Sequence, residues 1–148
     1  MDKQLSMGDG TKKVCRFLGE LGWKYELLAE GTIKTSYSGN FGDINILVQV
    51  KKSGLNMAIN PVLNQPVDGW NNSVSNLIKT LNSEANFIRI GLDKQGDVFV
   101  KVDLPAYNFQ FDQFAYVMLN LCQVSEQLTV PVLQVQAFEE YEDSDSPR

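Results

Sequence analysis

The sequence predicts an α+β fold, a curved antiparallel sheet packed by one face against amphipathic helices, and three observations predict it. Residues 43–50 alternate with period two, placing Ile44, Ile46, Val48 and Val50 on one side and Asp43, Asn45, Leu47 and Gln49 on the other. A parallel strand covered on both faces would instead read as a continuous apolar run. Elsewhere, Val14, Phe17, Leu18 and Leu21 recur at i, i+3, i+4, i+7, as do Val74, Leu77, Ile78 and Leu81. That spacing is the stripe of a half-buried helix. Finally, the strand patterns come in runs, and no Gly-rich phosphate loop opens a helix, which argues against a doubly wound nucleotide-binding sheet. The expected order is α-ββββ-α-ββ-α.

The first helix is expected from Thr11, a good N-cap residue, to Gly22, a natural C′ residue. Residues 1–10 are expected to be a flexible N-terminus. Strands follow around Tyr25–Ala29 and Ile33–Tyr37, with Gly31 between them. Residues 38–42 (SGNFG) make a turn rich in side chains that tolerate positive φ. After the strand at 43–50, the turn 51–54 leads to a fourth strand through Leu55, Met57 and Ile59, which Pro61 should end or place at a sheet edge. A loop containing Pro66 precedes a helix starting near residues 71–73. Two strands, 87–92 and 97–104, are joined by Asp93-Lys-Gln-Gly96 with Gly at the left-handed position.

The last helix has Asp112 in its first turn, where negative charge suits the dipole. Its apolar face runs Phe111, Phe114, Ala115, Met118, Leu121, Cys122. Thr129 and Pro131 suggest a break there and a short final helix over 130–138. Residues 139–148 (EEYEDSDSPR) read as an acidic, solvated and disordered tail, so a single domain is expected over 11–138.

Composition narrows the chemistry. The chain has 148 residues, 43% of them hydrophobic, enough for one ordinary core. Its net charge of -5 repels phosphate backbones, and Lys12, Lys13 and Arg16 are too small a cluster to offset that, so no nucleic-acid partner is expected. No apolar run reaches membrane-spanning length, and the N-terminus carries no secretory pattern, so a cytoplasmic location is expected. There is no histidine, which removes Ser-His-Asp and Cys-His catalysis and His-containing zinc sites. Two cysteines, Cys15 and Cys122, cannot form a four-thiolate metal site and read as buried reduced thiols. Asp43, Asp93 and Asp97 flank turns, where Asp serves local hydrogen bonding. No catalytic residue, cofactor or metal site is expected.

What remains is protein binding. Phe41 stands at a turn tip, and Leu47 and Phe99 interrupt the polar sides of their strands, so each needs a cover. That cover is part of the fold, a second copy or a client segment. Trp23 and Trp70 stand where helix meets loop or strand; they plug the ends of the core, or one anchors a partner. The contact candidates are Phe41, Leu47, Trp70 and Phe99. The competing class is a small-ligand-binding or weakly catalytic domain with a pocket between sheet and long helix.

Leu77-Ile-Lys-Thr-Leu-Asn82, followed by Asn86-Phe-Ile-Arg-Ile-Gly-Leu-Asp-Lys-Gln-Gly-Asp-Val-Phe-Val100, resembles the YbjN family pattern. That pattern is a helix ending in Leu-Asn, a strand, an Asp-x-x-Gly turn and a Val-rich strand. The passage helix, Gly22-Trp23, strand, Gly31, strand is similar as well. The resemblance covers roughly residues 11–128. It implies the fold of class I type III secretion chaperones, a homodimer, an extended protein client and no catalytic residues. A chaperone-like or regulatory binding module is therefore the expected function.

Overall fold

Alternation along the strands decides which side of the sheet is covered. The computed structural model describes residues 7–85, 87–105 and 109–145, with backbone alone at residue 7 and at 139–145. The elements are α1 (Met7–Leu21), β1 (Tyr25–Ala29), β2 (Thr32–Gly39), β3 (Gly42–Lys51), β4 (Gly54–Leu63), α2 (Asn72–Glu84), β5 (Arg89–Leu92), β6 (Val98–Pro105) and α3 (Phe111–Asp145). The six strands form one antiparallel sheet in the order β1-β2-β3-β4-β6-β5. Ile33, Ile46, Val48, Val50, Leu55, Met57, Ile59, Val98, Val100 and Val102 are buried together with Val14, Phe17 and Leu18 of α1, Val74 and Ile78 of α2, and Phe114, Met118 and Leu121 of α3. Burying each such side chain contributes about 1.5–3 kcal/mol. The α+β class and the element order are as the sequence predicts.

Boundaries differ where tertiary contacts override local signals. Helix α1 starts at Met7, not Thr11, and Thr11 lies buried inside it. Gly10 allows this: a Cβ there would stand 2.8 Å from Val50 Cγ1, so the first turn docks directly on β3. Residues 7–10, expected to be part of a flexible N-terminus, are therefore helical, and residues 1–6 lie outside the described residues. The turn after β2 is only Asn40-Phe41, since pairing continues to Gly39↔Gly42.

Helix α3 is continuous over 35 residues with Pro131 inside it, so the expected break at 129–131 does not occur. Thr129 Oγ1 donates to the carbonyl of Ser125 at 2.8 Å, a bond inside a helix and not an N-cap. Leu128 and Val132, on either side of the proline, are both fully buried. Beyond it, Gln136 Oε1 accepts from the Asn71 backbone N–H at 3.0 Å while its Nε2 donates to Gly69 O at 3.3 Å. Packing on both sides thus offsets the roughly 3 kcal/mol that an internal proline costs. The helical backbone also runs through 139–145, where the sequence read as an acidic tail; residues 146–148 lie outside the described residues. Helix α2 begins as expected, with Asn71 Oδ1 capping Val74 N at 2.8 Å.

Candidate functional site

Strands β3 and β4 pair from Lys51↔Gly54 as far as Leu47↔Ala58 and then separate. Both continue: β3 back to Gly42 on β2, and β4 on to Leu63 on β6 alone. Pro61 lies in this irregular part of β4, which explains its place in an interior strand. It has no N–H to give, and it falls where the β6 register shifts between Ile59 and Leu63 and the β3 ladder has already stopped, so neither neighbour pairs with it. Of the two outcomes expected of Pro61, the end of the strand is corrected, since β4 runs two residues beyond it, while the loss of the β3 neighbour leaves β4 a local edge there.

The separation opens a cleft of about 420 Å³, walled by residues 41–45 and 59–63 and floored by α3 at Ser125, Glu126, Thr129 and Leu133. Its backbone chemistry follows from the ladder. The two-residue turn makes Gly39↔Gly42 a hydrogen-bonded pair, so bonds to β2 recur at Ile44, Ile46 and Val48. Asp43 and Asn45 point their N–H and C=O groups the other way, toward the cleft. The apolar walls include Phe41, 63% exposed, and Leu133, 48% exposed.

Polar side chains around the cleft hold its shape. Glu126 Oε2 accepts the Asn40 backbone N–H at 2.6 Å, fastening the β2–β3 tip to α3. Gly39 permits that approach, because a Cβ there would stand 3.0 Å from both Glu126 Oε2 and Ile44 Cδ1. Ser38 Oγ donates to Asp43 Oδ1 at 3.3 Å, and Ser125 Oγ donates to Cys122 O at 2.7 Å. Among the described residues, no buried side-chain nitrogen or oxygen lacks a partner, and no group of three or more Cys, Asp or Glu is placed to hold a metal. Burial, and then the charge of Glu126, push the Cys122 thiol up to about 12. Burial also raises Cys15, against a hydrogen bond with the Tyr25 side chain. Neither thiol is activated, because only the thiolate is nucleophilic.

The four contact candidates do not converge. Phe41 lines the cleft. Leu47, 36% exposed, sits at the apex of the split but on the uncovered sheet face. Phe99 is half-buried on that face, across β4 from Leu47. Its ring lies over Gly91, where a Cβ would be 2.9 Å away, and Lys101 Nζ stands 4.9 Å from its centroid. Trp70 is a half-buried loop anchor whose Nε1 donates to Gly96 O at 2.7 Å. Elsewhere on the uncovered sheet face, Arg89 is paired to Asp103 at 2.8 Å. Asp93 Oδ1 accepts from the N–H groups of Gln95 and Asp97, a turn role. In the small basic cluster, Lys13 Nζ lies 4.2 Å from the Phe109 ring centroid and Arg16 lies over Phe17 at 5.3 Å. Those cations cover aromatic rings of their own chain.

Sequence reading missed the β4 wall and the α3 floor. The proline within a strand pattern was the available signal for the wall. For the floor it was the near absence of charge along 113–138, where Glu126 is the one ionised side chain.

Residues 11–127 match the family model of YbjN, described as "Putative bacterial sensory transduction regulator". The chain belongs to that family. No curated protein sequence matches it. Among solved structures, it is similar to a chain of the heterodimeric complex ExoU–SpcU from the type III secretion system of Pseudomonas aeruginosa. The TM-score is 0.60 and the identity 13%, over 79% of this chain and 94% of that one. It is also similar to YbjN from E. coli, whose structure is titled that of "a putative transcription regulator". There the TM-score is 0.57 and the identity 16%, over 87% of this chain and 93% of that one. At these identities the likeness is one of fold, and the fold is type III secretion chaperone-like. Among the described residues, no helix is long and apolar enough to cross a membrane.

Proposed function

We propose that this YbjN-family chain is a non-enzymatic protein-binding module, chaperone-like or regulatory, that works in the cytoplasm as a homodimer. It takes an extended segment of a client protein into the cleft between β3 and β4. One observation carries the reading: the β3–β4 ladder stops at Leu47↔Ala58 while both strands continue. An entering strand would bond the backbone groups of Asp43 and Asn45 and set alternate side chains against Phe41 and Leu133. The net charge of -5 disfavours a nucleic-acid partner.

A peptide selected on the purified protein from a random-peptide display library tests this. Resynthesis with alternate backbone nitrogens methylated should abolish its binding. Asn45→Pro should do the same, because it removes a cleft-facing N–H where the ladder to β2 does not use it. Binding untouched by both changes, or no peptide enriched, would sink the reading.

The position of the cleft, between sheet and long helix, favours a second reading: a small-ligand-binding or weakly catalytic domain. Against it, the carboxylates of Asp43 and Glu126 and the hydroxyls of Ser125 and Thr129 are engaged within the chain. A metabolite raising the melting midpoint in a thermal-shift screen, and displacing nothing but itself, would turn the choice toward the ligand.

A further inference from the structure

The outward face of α3 carries a second feature, which shares only Glu126 and Leu133 with the cleft floor. Tyr116, Leu119, Gln123, Glu126, Val130 and Leu133 follow at alternating spacings of three and four, the seam spacing of a two-helix coiled coil. At 3.6 residues per turn they fall within an arc of roughly 100°. The four apolar members are all at least 41% exposed. Phe87, also exposed, extends the first end by packing its ring on Tyr116 at 6.1 Å. In a chain of net charge -5, the stretches 113–125 and 127–138 hold no charged residue, and such depletion marks the centre of protein interfaces.

The spacing is self-complementary in one orientation. Tyr116 and Leu133, Leu119 and Val130, and Gln123 and Glu126 are all centred on the Val124–Ser125 peptide bond. A two-fold axis there, with the helices antiparallel, sets each apolar residue against an apolar one and each Gln123 amide against Glu126 of the second copy. A parallel pairing would set Glu126 against Glu126, which like-charge repulsion opposes. We propose that this face is where a second copy of the chain docks, as an antiparallel, isologous α3–α3 pair. The proposal rests on the dimeric part of the reading above and places the interface on α3, away from the open sheet face. The seam is only about 30 Å by 10 Å, smaller than a standard specific interface, so the dimer is a weak one and its mass should depend on concentration.

Light scattering on the full chain across a micromolar concentration series reads the outcome, with circular dichroism to check folding. Wild type should move from monomer toward dimer. Leu119→Glu should raise the dissociation constant roughly tenfold or more while leaving the fold intact, since Leu119 is exposed. Adding Val130→Lys to it should restore the dimer, because each Glu would then face a Lys of the other copy; adding Val130→Glu should not. A wild type that stays monomeric overturns dimerism itself. A dimer indifferent to Leu119→Glu overturns the interface, and failure of the Glu/Lys pair to rescue overturns the antiparallel register. Capture of the library-selected peptide on this face in place of a second copy overturns it too, leaving the cleft reading to its own test.

Discussion

The carboxylate of Glu126 and the backbone N–H of Asn40, 86 positions apart in the chain, meet at 2.6 Å. This contact binds the tip of the β2–β3 hairpin to the middle of α3, so it fixes one wall of the cleft to its floor. Replacing Glu126 by Ala should cost about 1 kcal/mol of stability, the scale of one hydrogen bond to a partly solvated charge. Peptide affinity should fall further than that loss implies, because the hairpin tip carrying Phe41 would no longer be held. Urea denaturation and peptide titration on the same variant check it; an affinity unchanged by the substitution would detach the hairpin from the site.

Two glycines of α1 should respond in opposite directions. Gly10→Ala drives a methyl to within 2.8 Å of Val50 Cγ1, a short side chain held in the core, and should destabilise by about 1–3 kcal/mol. Gly19 has nothing within 4 Å of its would-be Cβ, so Gly19→Ala should stabilise by about 0.5–1 kcal/mol through helix propensity alone. Equilibrium unfolding of both variants tests whether the first turn of α1 really docks on β3.

Pro131 is retained inside α3 by what lies on both sides of it. Pro131→Ala should raise stability by about 1–3 kcal/mol, restoring the missing helix hydrogen bond. Gln136→Ala should lower it by about 1–3 kcal/mol, since the Asn71 N–H and Gly69 carbonyl lose their partner. If hydrogen exchange shows residues 132–138 no less protected in the Gln136 variant, the anchoring lies elsewhere.

The thiol of Cys122, pushed up to about 12 from its ordinary 9.0, gives an alkaline signature. The unfolded chain loses this proton near pH 9 while the folded chain keeps it. The stabilising contribution is therefore full below pH 9 and is lost progressively as pH rises toward 12. Cys122→Val should flatten the decline of unfolding free energy across that window. Thiol labelling of the native protein should modify half-buried Cys15 first and reach Cys122 only on unfolding. Equal labelling rates would contradict the burial.

Periodicity determined which residues are core, because period two at 43–50 and the i, i+3, i+4, i+7 stripes at 14–21 and 74–81 are local consequences of one buried face. Turn chemistry was legible for the same reason: Asp93 and Gly96 act within five residues of each other. Family resemblance was legible in the helix–strand–turn–strand passage over 77–100. Tertiary structure alone decided the start of α1, the survival of α3 through Pro131 and the parting of β3 from β4. Each depends on residues far apart in the chain, Gly10 with Val50, Gln136 with Asn71, Glu126 with Asn40. Local propensity differs by only about 1–3 kcal/mol at such points, and long-range packing exceeds it. The cleft was invisible in the sequence because a strand that has lost its neighbour keeps the same side-chain alternation; only the partner across the sheet is missing.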